Sequence, residues 1–105
     1  MKVVKEKLKL KLSVQEITQQ STSVIIDVRT PEEFERGHVT SSINIPLKEL
    51  FKRVEEIKSF NAPIVLCFLI GGRSEQARCY LNGRGIECYN GGGWMDVDGL
   101  VRQCA

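Results

Sequence analysis

Val24-Ile25-Ile26-Asp27-Val28-Arg29-Thr30-Pro31-Glu32-Glu33-Phe34-Glu35-Arg36-Gly37-His38-Val39 is the stretch that decides the fold. Its first part, Ser23 to Val28, is β-rich, and Val24-Ile25-Ile26 shows no apolar–polar alternation. A strand that is apolar on both sides is covered on both sides, as in a parallel sheet. The chain then starts a helix almost at once. Thr30 is placed as N-cap and Pro31 as the first helical residue, and Glu32 and Glu33 lie in the first turn, where the helix dipole favours acids. Gly37 stops that helix.

The same alternation of strand and helix extends outward in both directions. Upstream, Leu8, Leu10 and Leu12 alternate with lysines, which is the period of a half-buried strand. Ser13 then caps a short helix, Val14 to Gln19, with Glu16 completing a capping box. Downstream, Ile43-Asn44-Ile45-Pro46 is a short extended piece. Leu47, Leu50, Phe51, Val54 and Ile57 recur at helical spacing and predict one amphipathic helix to about Ile57. Pro63 to Cys67 reads as a second buried strand. A helix from Arg73 to Asn82 leaves through Gly83 and Gly85. Ile86 to Tyr89 is the last strand, Gly91-Gly92-Gly93 a loop, and Trp94 to Gln103 a final helix interrupted at Gly99. This order predicts an α/β fold, a parallel sheet with helices on both faces. With 105 residues and no internal repeat or linker, the expectation is one domain, 1–105.

Charge and composition narrow the function. A net charge of +2 is too small to argue for nucleic acid or a membrane surface. No apolar run approaches the roughly 20 residues of a membrane span. Lys2, Lys5, Lys7, Lys9 and Lys11 make the start basic, but no apolar segment follows as in a secretory signal. They read as the solvated face of an edge strand. The expected location is therefore the cytoplasm, where the four cysteines, Cys67, Cys79, Cys88 and Cys104, stay reduced. None forms a C-x-x-C pair, so neither a metal site nor a thioredoxin-type motif is expected. Cys88 reads as a small buried hydrophobe, Cys79 as a helix residue and Cys104 as part of a tail.

Chemistry is suggested at one place. Cys67 ends the apolar run Ile64-Val65-Leu66-Cys67, the loop Phe68-Leu69-Ile70-Gly71-Gly72 follows, and Arg73-Ser74 opens the next helix. A glycine loop between a strand and a helix start aims backbone N–H groups at one point. A thiol facing those amides and an arginine is shifted toward thiolate, the reactive form.

The opening stretch, continued to Ile43-Asn44-Ile45-Pro46, resembles the first signature of the rhodanese family. The Cys67 loop stands where that family keeps its active-site cysteine, and Gly92-Gly93-Trp94 resembles its late glycine-glycine-tryptophan region. The resemblance runs from about Ser13 to Leu100. It implies an α/β fold with a five-stranded parallel sheet and sulfur transfer through a cysteine persulfide, with no cofactor or metal. Cys67 would be the catalytic nucleophile. Phe68, Leu69, Ile70, Gly71, Gly72 and Arg73 would bind the donor, with Arg73 as the charged clamp. The implied partners are a small anionic sulfur donor such as thiosulfate and a thiol acceptor, which includes a protein thiol. Asp27, Arg29 and His38 are expected to brace the loops structurally. Ser41-Ser42 replaces the family's usual glycine-alanine after the histidine.

The loop also departs from the family. Sulfur-transferring members usually have six residues from the cysteine through the last loop position; Cys67 to Arg73 is seven. One explanation is a true C-x5-R-S loop, as in the cysteine-dependent phosphatases and arsenate reductases. Asp96 and Asp98 are then available as leaving-group acids. The other aligns Gly71-Gly72-Arg73-Ser74 without a gap and puts Phe68 at the nucleophile position. Cys67 is then the last strand residue, facing away from its neighbour, and the domain is a catalytically silent binding or regulatory module. A bulge in the strand that shifts Cys67 by one position would restore activity. The residues alone leave the sulfurtransferase, the silent module and the phosphatase all open.

Overall fold

The structure, a computed structural model, describes residues 14–20, 22–69 and 73–103. Its elements are α1 (Val14–Thr18), β1 (Val24–Asp27), α2 (Pro31–Glu35), β2 (Ile43–Asn44), α3 (Leu47–Leu50), α4 (Val54–Ser59), β3 (Ile64–Phe68), α5 (Arg73–Gly83), β4 (Cys88–Gly93) and α6 (Trp94–Gln103). The expected strand through Leu8, Leu10 and Leu12 lies outside the described residues, as do the Ser13 cap and Cys104.

Four strands form one parallel sheet in the order β2-β1-β3-β4. Four of the five expected strands lie among the described residues; the fifth rests on the Leu8–Leu12 alternation outside them. Two apolar layers cover the sheet. Ile26, Ile64, Leu66 and Phe68 point into one, with Leu50, Val54, Ile57, Ala77 and Leu81 from α3, α4 and α5. Ile25, Val65 and Cys67 point into the other, with Ile17 of α1 and Val97 of α6. The two covers explain why β1 lacks alternation: both of its faces are buried.

Several boundaries differ from the sequence reading. The helix expected from Leu47 to Ile57 is two helices, because Arg53 sits at φ −110°, ψ 26° between them. The break lets Leu50, Val54 and Ile57 all reach the core while Phe51 turns outward to 39% exposure. Arg53 spans the break with ion pairs to Glu49 (3.6 Å) and Glu56 (2.9 Å). Gly91-Gly92-Gly93 is strand, not loop. A Cβ at Gly91 would stand 2.8 Å from Val65 Cγ1 and 2.9 Å from Leu66 O. Glycine there lets β4 run against β3 and under α6. The final helix continues through Gly99.

The helix start at Thr30 forms as its residues dictate. Glu33 N–H donates to Thr30 Oγ1 (3.3 Å), and Thr30 N–H donates to Glu33 Oε1 (3.1 Å). This reciprocal box satisfies two otherwise orphaned amides and holds the Glu33 carboxyl below its usual range. It sets where α2 leaves the C-terminal edge of the sheet, the edge that carries the candidate site.

Candidate functional site

At that edge, β1 ends in Asp27 and the chain turns through Arg29. The Arg29 amide donates to Asp27 Oδ1 (3.0 Å), and its guanidinium donates to both carboxylate oxygens, Nε to Oδ1 (3.0 Å) and Nη2 to Oδ2 (2.8 Å). Nη2 also donates to the Gly37 carbonyl (2.6 Å). The Arg29 guanidinium lies 4.9 Å from the Trp94 ring centroid. One buried side chain thus ties the end of β1, the exit of α2 and the start of α6. Gly37 is required in this arrangement: a Cβ there would come within 3.0 Å of Trp94 Cη2.

Two neighbours extend the brace. His38 stacks on Phe34 at 3.7 Å, and its Nδ1 lies 2.7 Å from the Phe34 carbonyl. A carbonyl only accepts, so Nδ1 carries the proton. Asn44 Nδ2 donates to the carbonyls of Asp27 (3.0 Å) and Arg29 (2.9 Å), fixing the turn from the side of β2. Sequence reading gave Asn44 and Trp94 no bracing role. The signal for Asn44 was present, a polar residue between two isoleucines and before a proline.

Cys67 lies in register with Asp27 on β3. It is 0% exposed, packed with Ile17, Ile25, Val39, Val65 and Val97. Its thiol is pushed up from 9.0 to about 12, first by burial and then by the charge of the Asp27 carboxylate, while the Arg29 guanidinium pulls the other way. Loop amides and an arginine were expected to favour the thiolate. Burial in the sheet layer and the charge of the Asp27 carboxylate favour the thiol instead. Among the described side chains, the guanidinium that acts on it is Arg29.

The register answers the question of a bulge. Leu66 pairs with Asn90 and Cys67 with Gly92, so the extra residue is Gly91 on β4. Between β1 and β3 the pairing is continuous from Val24–Ile64 to Asp27–Cys67. The irregularity leaves Cys67 on its own face. Phe68 is the last residue of β3, 7% exposed, and packs in the opposite layer. Strand alternation separates these neighbouring side chains. Leu69 follows at 53% exposure. Ile70, Gly71 and Gly72 lie outside the described residues, and Arg73 is the first residue of α5.

The remaining candidates are dispersed. Cys79 is exposed on α5, and Cys88 is buried on β4. Asp98 is held by Arg102 (2.7 Å). No group of three or more His, Cys, Asp or Glu among the described residues could hold a metal ion. No described helix is long and apolar enough to cross a membrane.

Comparison with known proteins fits this architecture. The model of the rhodanese-like domain family matches residues 10–97. The uncharacterized protein YqhL of Bacillus subtilis is 39% identical over 80 residues, covering 74% of this chain and 63% of YqhL. The chain therefore spans less than two thirds of that relative. The thiosulfate sulfurtransferase PspE of Escherichia coli is 36% identical over 74 residues, covering 69% of this chain and 71% of PspE. A solved rhodanese with anions from E. coli superposes with a TM-score of 0.62 at 36% identity, covering 70% of this chain and 89% of that one. The chain belongs to the rhodanese-like domain family, the family of such sulfurtransferases.

Proposed function

We propose that this chain works as a rhodanese-like binding or regulatory module that does not turn over sulfur through Cys67. One observation carries the reading: the Cys67 thiol is sealed beside a carboxylate and held up to about 12. Only the thiolate attacks a sulfane sulfur. Near neutral pH, raising the pKa from 9.0 to about 12 lowers the thiolate fraction by about 10³. Burial then denies the donor an approach to the thiolate that does form. The residue in the ungapped nucleophile position, Phe68, has no nucleophilic atom.

The sulfurtransferase reading is favoured by the likeness to PspE. In it, Cys67 thiolate attacks the outer sulfur of thiosulfate, an S–S bond forms, and sulfite leaves with the bonding pair of the broken bond. An acceptor thiolate then takes the outer sulfur from the persulfide and returns Cys67 thiolate. Every step needs that sulfur ionised and reachable.

Intact mass after incubation with thiosulfate separates the two. The module reading expects no gain of one sulfur atom at Cys67, with any adduct on exposed Cys79 located by peptide mapping. A sulfur adduct mapped to Cys67 and lost in Cys67→Ser overturns it and restores the sulfurtransferase.

A further inference from the structure

Phe51 is the large apolar side chain that helical periodicity assigns to the core and that the break between α3 and α4 turns outward, to 39% exposure. Its surroundings are ordered. The Phe51 ring meets Tyr80 edge-on at 4.8 Å, Tyr80 packs against the core layer beneath, and the Arg84 guanidinium lies 5.8 Å from the Tyr80 ring centroid. α3 packs on α5 at this place, so the aromatic pair is held between two helices.

Cations flank the pair. Lys48 precedes Phe51 by one helical turn and Lys52 follows it; both are exposed, as is Arg84. None of these three cations has an ion pair with a carboxylate among the described residues. Of the acids on α3, α4 and α5, Glu49 and Glu56 are engaged by Arg53 and Glu75 by Arg78. Aromatic residues and arginine are the side chains enriched at interface hot spots. A ring already fixed by a neighbour loses little freedom on binding.

We propose that Phe51, Tyr80 and Arg84, flanked by Lys48 and Lys52, form a docking surface for an acidic protein segment that carries an apolar or aromatic anchor. The anchor rests on the Phe51–Tyr80 pair, and its flanking carboxylates meet Lys48, Lys52 and Arg84. This surface lies over the layer opposite Cys67, so the inference stands whichever reading of Cys67 holds.

The test is fluorescence anisotropy of the full chain with a labelled peptide of glutamates and leucines around one central phenylalanine. Saturable binding is expected. It should weaken about tenfold or more in Phe51→Ala and in Arg84→Glu, and fall with added salt. Phe51→Ala and the surface change Arg84→Glu are compared by circular dichroism to establish that both fold. Three results overturn the proposal. One is no saturable binding. Another is binding indifferent to Phe51→Ala, which marks general polyanion capture. The last is concentration-dependent self-association lost in Phe51→Ala, which makes a second copy the occupant. The thiosulfate experiment reads a different face and fails or succeeds independently.

Discussion

Iodoacetamide added across a pH series should leave Cys67 unmodified long after Cys79 has reacted. The thiolate is the alkylated species, so the rate follows its population. With its pKa at about 12 in place of 9.0, Cys67 has about 10³ less thiolate than an ordinary thiol through neutral and mildly alkaline pH, equivalent to about 4 kcal/mol. Access lowers the rate further, because a side chain that is 0% exposed reacts only when the sheet opens. The exposed Cys79 serves as the internal reference in the same molecules. Peptide mapping after timed quenching gives both rates from one sample. The expected ratio is on the order of 10³ or more in favour of Cys79. The Cys67 rate should rise toward that of Cys79 once urea unfolds the chain. Comparable rates in the folded protein near neutral pH would refute the burial argument and reopen Cys67 as a nucleophile.

Other expectations rest on the same geometry. Phe68 is 7% exposed in the layer opposite Cys67, so a thiol placed there by Phe68→Cys is buried as well, and intact mass after thiosulfate should show no added sulfur on that residue. Sulfur taken up there by a folded mutant would contradict the burial of the β3 end. Cys67 and Cys88 are both held up to about 12 by burial, so above about pH 9 the unfolded chain loses protons that the folded chain keeps. Stability should therefore fall with rising pH from about 9 toward 12, by about 1.4 kcal/mol per pH unit for each thiol. Urea melts would show this, with Cys67→Ala removing its share of the slope, and a flat profile over that window would contradict both thiol environments. Asp27→Asn leaves buried Arg29 without its counter-charge and should lower stability by about 3–5 kcal/mol. A loss under about 1 kcal/mol in chemical denaturation would mean that the pair braces little.

Most of the architecture was legible because it rests on local chemistry. Thr30, Pro31 and Glu33 specify a helix start through one capping box, and the unbroken Val24-Ile25-Ile26 run requires cover on both faces. The candidate site was less legible for a reason of scale. Strand ends read from sequence are uncertain by a residue or two, and β3 continues to Phe68 where the apolar run suggested Cys67. The Leu47–Ile57 periodicity was real but concealed a turn at Arg53, since two short helices can share one apolar spacing. Asn44 and Trp94 reach Asp27 and Arg29 only through tertiary contact.

The amino-acid order by itself determined that an α/β sheet would form, that Asp27 and Arg29 would stand at its C-terminal edge, and that either Cys67 or Phe68 would head the loop. Which of the two faces the apolar layer beside Asp27 was decided only by strand pairing. Side chains alternate along a strand, so a shift of one residue exchanges its faces. The continuous register of β1 against β3 turns the Cys67 sulfur inward toward Asp27.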